Sequence, residues 1–297
     1  MTLDAVLDTV IAGNRLLHYL ASMLIFGSSA FLWKIAAPGL RMQLDRRLAF
    51  SLRAAALLAL LTVLAGLPLQ AAEIVGSWQA ALDPALLQKL LGTAIGHAWL
   101  LRLLLALLLL AVSMLRQPGR LGPLVVSAGL LLASLALNGH AAMDQGLRGF
   151  LHGANHIVHL LCGGAWLGSL LPFLLCLRLL DYPVARNDAG LTLRRFSSAG
   201  HVAVAGVLLS GVVNTMLVLG RWPTDWSSPY QLLLSLKILL TAAMVTLAIV
   251  NRYVQVPRMQ SDARLAVAAI RRCTLIEIGF GMAVLALVSV FGMLEPG

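Results

Sequence analysis

Charge is scarce in this sequence. Only 11% of its 297 residues are Asp, Glu, Lys or Arg, against about 25% in a soluble domain. That leaves too little polar material for the surface of a soluble helical protein. Cysteine is scarcer still: Cys162, Cys176 and Cys273 all fall in or beside apolar runs. No CxxC occurs, and a disulfide framework is excluded. No nucleotide-binding motif is present, so any transport would be passive or coupled to an ion gradient. The opening stretch MTLDAVLDTV has neither a basic region nor a cleavage site, so the first apolar run is expected to remain as a membrane span.

What the sequence has in abundance is apolar length. Apolar residues make up 60% of the chain, and runs of about 20 recur, each long enough for a hydrocarbon core of about 30 Å. The pattern predicts an all-α polytopic membrane protein, residues 1–297 forming one integral domain in a lipid bilayer. Eight spans are expected, at 8–33, 49–72, 92–115, 122–143, 150–176, 197–220, 231–251 and 273–293.

Basic residues orient them. One set of connections carries Lys34, Arg41, Arg46, Arg47, Arg53, Arg116, Arg120, Arg178, Arg186, Arg194, Arg195, Arg252, Arg258, Arg264, Arg271 and Arg272. The other carries Lys89, Arg148 and Arg221. By the positive-inside rule the first set is cytoplasmic and both termini are periplasmic. The same bias accounts for the net charge of +10 with no nucleic-acid partner. Arg15, Arg102 and Lys237 lie within spans; Arg15 and Arg102 are expected to face the bundle, paired with a carboxylate or with helix carbonyls.

A weak repeat is visible. GNRLLHYL at 13–20 aligns with ANHIVHLL at 154–161, and Gly27-Ser28 then falls on Gly168-Ser169. AIGHAWLLR at 94–102 parallels PYQLLLSLK at 229–237. Halves 1–145 and 146–297, four spans each, would be parallel repeats about an axis along the membrane normal. His18 and His159 would then be counterparts at similar depth.

The stretch 138–172 holds four of the seven histidines: His140, His152, His156 and His159. Ionisable groups at membrane depth are costly and mark function. His152, His156 and His159 share one helix face. His140 ends the preceding span across a short connection, at the depth of His152. Imidazole ligates transition metals. His152 and His159 are separated by about 10 Å of helix rise, so one ion with bonds of about 2 Å cannot hold both. The geometry suits a ladder, with His140 and His152 as the upper rung, and His156 and His159 below. Met143 and Asp144 lie at its mouth, and Cys162 lies one turn beneath His159. Soft Met and Cys ligands favour Cu(I); His and carboxylate also suit Cu(II). His18 and His97, in outer halves of spans, are further candidate ligands. His201, Cys176 and Cys273 read as structural. Trp166 and its glycines read as close helix packing. Trp78, Trp99, Trp222 and Trp226 read as an outer interfacial belt. Glu73 and Glu277 read as salt-bridge or cap residues.

At these residues the chain resembles the copper resistance protein D (CopD) family of bacterial inner-membrane proteins. The shared elements are Gly139-His140-Ala141 and the pattern His152, position 156, His159-Leu160-Leu161, Trp166, Gly168. Arg195-Phe196-Ser197, Gly211 to Asn214, Lys237 and Asn251-Arg252 support it. The departure is His156, where the family pattern has aspartate. The resemblance implies eight spans, a copper ion, Cu(I) or Cu(II), as substrate of a non-enzymatic transporter, and a periplasmic copper-binding chaperone of the CopC type as partner. Two other readings stand beside it. One is a haem-binding membrane oxidoreductase, heme A synthase-like or a b-type cytochrome, with His18 and His159, or His97 and His140, as axial pairs. The other is a non-transporting sensor or assembly factor.

Overall fold

Helix boundaries in this chain are set by proline at starts, side-chain caps, and glycine at stops. The computed structural model describes residues 3–137 and 146–295. Helix α1 (Leu3–Ala30) continues as a π turn, Phe31–Ile35. Helix α2 (Pro38–Val75) has proline in its first turn, where no backbone donor is wasted. It stops at Gly76, whose φ of 71° suits glycine. A short helix α3 (Pro84–Leu91) is capped by the Asp83 carboxylate, and α4 (Ala94–Met114) by the Thr93 hydroxyl. Then come α5 (Leu121–Ala133), α6 (Gly146–Leu179) and α7 (Arg186–Leu219). Helix α7 stops at Gly220, φ 67°. Helix α8 (Pro229–Val250) runs through a π turn, Asn251–Gln255, into a single turn, α9 (Val256–Arg258). Helix α10 (Ala263–Phe291) is capped by Asp262.

The chain is an all-α polytopic membrane protein. Seven helical segments among the described residues are long and apolar enough to cross a membrane. The expected fourth span is described over Leu121–Leu137, with a 3-10 turn at Ser134–Leu137. The remainder of that span, with His140, Met143 and Asp144, lies outside the described residues. Large apolar side chains such as Phe50, Leu104, Leu209 and Leu239 face outward, as lipid contact requires.

Helices α1 and α6 form the central pair. Helix α1 packs on α2, α5, α6 and α10, and α6 on α1, α5, α7 and α10. Lipid supplies no hydrophobic drive for helices to associate, so small residues and interhelical hydrogen bonds must do it. Here Gly27 lies against the backbone of Gly164 and Gly168, and Gly168 against the Met23 carbonyl. The contact is locked reciprocally: Ser28 Oγ donates to the Gly168 carbonyl at 2.8 Å, and Ser169 Oγ to the Gly27 carbonyl at 2.9 Å.

Charged groups inside the spans find partners. Arg15 pairs with Glu73 at 3.2 Å, and Arg102 donates to the Ser134 carbonyl at 3.0 Å, the two kinds of partner expected for them. Glu73 is the salt-bridge residue expected; Glu277 is not. Among the described residues it makes no ion pair and caps no helix; it is the buried midpoint of α10. The helix starts ten residues before the apolar run does, because Asp262 caps it in the preceding loop. His201 is exposed; its Nδ1 binds the Ser197 carbonyl at 2.7 Å and its Nε2 faces the Tyr253 hydroxyl at 3.3 Å.

A methyl group at Gly168 would overlap the Met23 carbonyl oxygen. Gly168→Ala is therefore expected to cost about 1–3 kcal/mol through overpacking. Gly153→Ala, with nothing within 4 Å of the new carbon, is expected to stay within about 0.5 kcal/mol. Thermal unfolding of the two variants in detergent measures the difference.

Candidate functional site

The histidines of α6 open onto a cavity of ≈ 940 Å³ between α1, α2, α4, α6, α7, α8 and α10. His18, His152, His156 and His159 all line it. So do Arg15, Glu73, Arg102 and Lys237. The 3.6-residue period brings His152, His156 and His159 to one side of α6. His18 arrives from α1, which the glycine contact holds against α6.

Hydrogen bonds define what each imidazole presents. The Thr62 hydroxyl donates to the backbone carbonyls of Leu58 and Ala59, at 3.0 and 2.9 Å. Its oxygen is therefore an acceptor toward His18 Nδ1, 2.8 Å away. The Ser210 hydroxyl likewise donates within α7, to the carbonyls of Gly206 and Val207. Its oxygen accepts from His159 Nδ1 at 3.0 Å. This pattern favours the tautomer with the proton on Nδ1, which keeps the Nε2 lone pair for a ligand. Ser22 Oγ lies 3.4 Å from His18 Nε2, a long contact that a metal would displace.

The surroundings of these two rings correspond. Asn14 Nδ2 donates to the Thr62 carbonyl at 3.2 Å, and Asn155 Nδ2 to the Ser210 carbonyl at 3.0 Å. In each case an Asn four residues before the His grips the backbone of the residue whose hydroxyl holds that His. Gly211 makes room for the His159 ring: a Cβ there would lie 3.4 Å from Cε1.

His156 is held the opposite way. Asn155 Nδ2 donates to Asn214 Oδ1 at 2.8 Å, which turns the Asn214 amide N–H toward His156 Nδ1 at 3.5 Å. His156 accepts that bond, as an aspartate oxygen at the same position would. With Nδ1 as acceptor, the ring proton of His156 lies on Nε2.

The remaining candidates separate. His152 is buried and lines the cavity. His97 is exposed in the first turn of α4 and is not among the cavity-lining residues. Trp99 and Arg102, on another side of that helix, do line it. Trp99 donates its indole N–H to the Val63 carbonyl at 2.7 Å. His140, Met143 and Asp144 lie outside the described residues, so the upper rung is represented by His152. Among the described residues, no three His, Cys, Asp or Glu side chains converge as a metal cage. Sequence reasoning missed the residues that set the imidazoles: Thr62, Ser210, Asn14, Asn155 and Asn214. The signal available was Asn14 and Asn155, four residues before His18 and His159 in the two aligned segments.

Comparison with known proteins agrees along the chain. Residues 6–150 match the family model described as copper resistance protein D-like, N-terminal domain, and residues 190–291 that of copper resistance protein D. The inner membrane protein YebZ of Escherichia coli (strain K12) is 36% identical over 285 residues, 95% of this chain and 97% of the relative. Copper resistance protein D of Pseudomonas syringae pv. tomato is 36% identical over 260 residues, 82% and 83% of the two chains. Copper transport protein CutJ of Bacillus subtilis (strain 168) is 29% identical over 261 residues, 84% of this chain and 47% of the relative. No solved structure matches the chain significantly.

Nitrogen NMR of histidine-labelled protein is expected to find His18 and His159 protonated on Nδ1, and His156 on Nε2. Ser210→Ala removes the acceptor of His159 alone. It is expected to release that ring's tautomer and leave His18 unchanged.

Proposed function

The chain belongs to the copper resistance protein D family, and from that premise we propose that it carries copper across the bacterial inner membrane, from the periplasm inward, through the histidine cavity. Two of its relatives are named for copper resistance and copper transport and a third as an inner membrane protein, which supports a copper-related role in the membrane. The direction and the path are our reading. The observation that carries it is the cavity wall, where a hydroxyl on the neighbouring helix engages Nδ1 of His18 and of His159, an arrangement that leaves Nε2 for a ligand. Orientation of this kind raises ligand basicity and selects the tautomer that a metal needs.

The chemistry favours passage over storage. Imidazoles in several places give successive partial sites. Lys237 and Arg102 line the same cavity and oppose a resting cation. Conduction needs sites that bind well enough to admit the ion and weakly enough to release it. Copper would enter at the mouth formed by His140, Met143, Asp144 and His152, handed over by a periplasmic copper-binding chaperone of the CopC type. It would then pass His156, His159 and His18. The basic connections would face the cytoplasm and both termini the periplasm. The two halves, 1–145 and 146–297, would be parallel repeats, each supplying one hydroxyl-held imidazole.

The test is copper accumulation in cells with and without the protein, alongside His140→Ala and His159→Ala. Wild-type protein is expected to raise accumulation. Each variant is expected to lower the gain by about tenfold or more, since even loss of a partner outside the ligand set costs 10–100-fold. Accumulation equal to that of the empty host contradicts transport, and unchanged accumulation in both variants contradicts this path. A strong Soret band with bound iron in the purified protein would replace copper by haem.

A further inference from the structure

One buried acidic group lies outside the copper path. Glu277 is the fifteenth of the 29 residues of α10 and is 3% exposed. Gly281, four residues on, lines the histidine cavity, so the carboxyl lies about 6 Å of helix rise beneath it. On the other side, Arg271 and Arg272 are exposed at the basic end of the same helix. Glu277 therefore stands between the cavity floor and the face we assign to the cytoplasm.

Its partners are neutral. Asn251 Nδ2 donates to Glu277 Oε1 at 3.1 Å, and the Trp166 indole N–H is turned to the same carboxyl. Trp166 also lines the cavity, so one side chain separates the carboxyl from the copper path. Glu277 is in neither of the ion pairs found among the described residues. From α1, Leu20 and Leu24 face the neighbouring Ile278 and Met282, and from α6 Leu167 and Leu171 do so. On α9, Arg258 is exposed. Arg252, in the π turn, is engaged with Ser197 Oγ at 2.5 Å. Cys273, one turn earlier on α10, is a titratable neighbour.

A second, independent observation concerns Asn251. Its Oδ1 is buried with no hydrogen-bond partner, although buried polar atoms are nearly always paired. It lies in a π turn, a form of helix that clusters at functional sites. A carboxylic O–H on Glu277 would supply the missing donor, so the pocket is furnished for both forms of the carboxyl. An ionisable group inside a span marks an ion or proton pathway, and Glu277 is in no ion pair among the described residues.

We propose that Glu277, held by Asn251 and Trp166 one helical turn beneath the histidine cavity, is a proton-exchange site that couples copper movement to the proton gradient. The inference rests on the transport reading above. An O–H bond forms when Glu277 takes a proton from water on one side of the membrane. It breaks when the proton returns to water on the other. No electron moves, and copper keeps its oxidation state.

The experiment uses the full-length protein in liposomes loaded with a pH-sensitive dye, with copper as the probe. For wild type, adding copper outside is expected to shift the internal pH. An imposed gradient of one pH unit should change the steady-state copper ratio about tenfold per proton coupled. Glu277→Gln keeps the shape and the Asn251 contact; it is expected to bind copper as wild type does and lose both effects. Glu277→Asp should restore part of the proton movement. A purely structural role would lower copper binding and copper flux together. Absence of copper flux in wild type removes transport and coupling alike. Copper flux with no pH shift and no response to the gradient overturns the coupling and leaves transport standing. That wild-type measurement decides even if Glu277→Gln fails to fold.

Discussion

Helices α1 and α6 meet backbone to backbone at their glycines, and the rest is arranged from that contact. Two pairs of residues make it. Gly27 and Gly168 let the chains touch, and Ser28 and Ser169 each donate to the other helix's glycine carbonyl. In lipid, where apolar side chains gain nothing by leaving the solvent, such contacts carry association. They also fix the rotation of both helices. With α1 and α6 locked at that level, His18 and His159 are presented to the same cavity from two walls. Helices α2 and α7 then supply the hydroxyls that hold them.

Membrane character, helical class and family were legible in the sequence, because composition, run length and the histidine pattern are local properties. The correspondence of 13–20 with 154–161 was legible too, and its weight became clear only through the matching hydrogen bonds of Asn14 and Asn155. What sequence could not supply was the helix partner of each ring. Thr62 and Ser210 are ordinary hydroxyl residues in apolar runs. Their meaning comes from helix rotation, which depends on packing distant in sequence. His97 illustrates the same limit: it stands in the outer half of a span, yet the rotation of α4 turns Trp99 and Arg102 to the cavity and leaves it outside. Glu277 was misjudged because the apolar run begins later than the helix does. A cap at Asp262 sets the helix start; hydropathy sets only the run.

At His156, where the resemblance led to the expectation of aspartate, the imidazole finds a partner in the Asn214 amide. The Asn214 amide needs an acceptor, and either a carboxylate oxygen or an imidazole Nδ1 serves. An imidazole there in place of the expected carboxylate adds no negative charge to a cavity lined by Arg15, Glu73, Arg102 and Lys237.

The central claim is that copper is held by imidazoles in the cavity between α1 and α6. X-ray absorption spectroscopy of the copper-loaded protein tests it most directly. The account predicts copper bound through imidazole nitrogen, with that signature diminished in a His18→Ala, His159→Ala double variant. A spectrum of sulfur ligands alone, or one unchanged in the double variant, would contradict it.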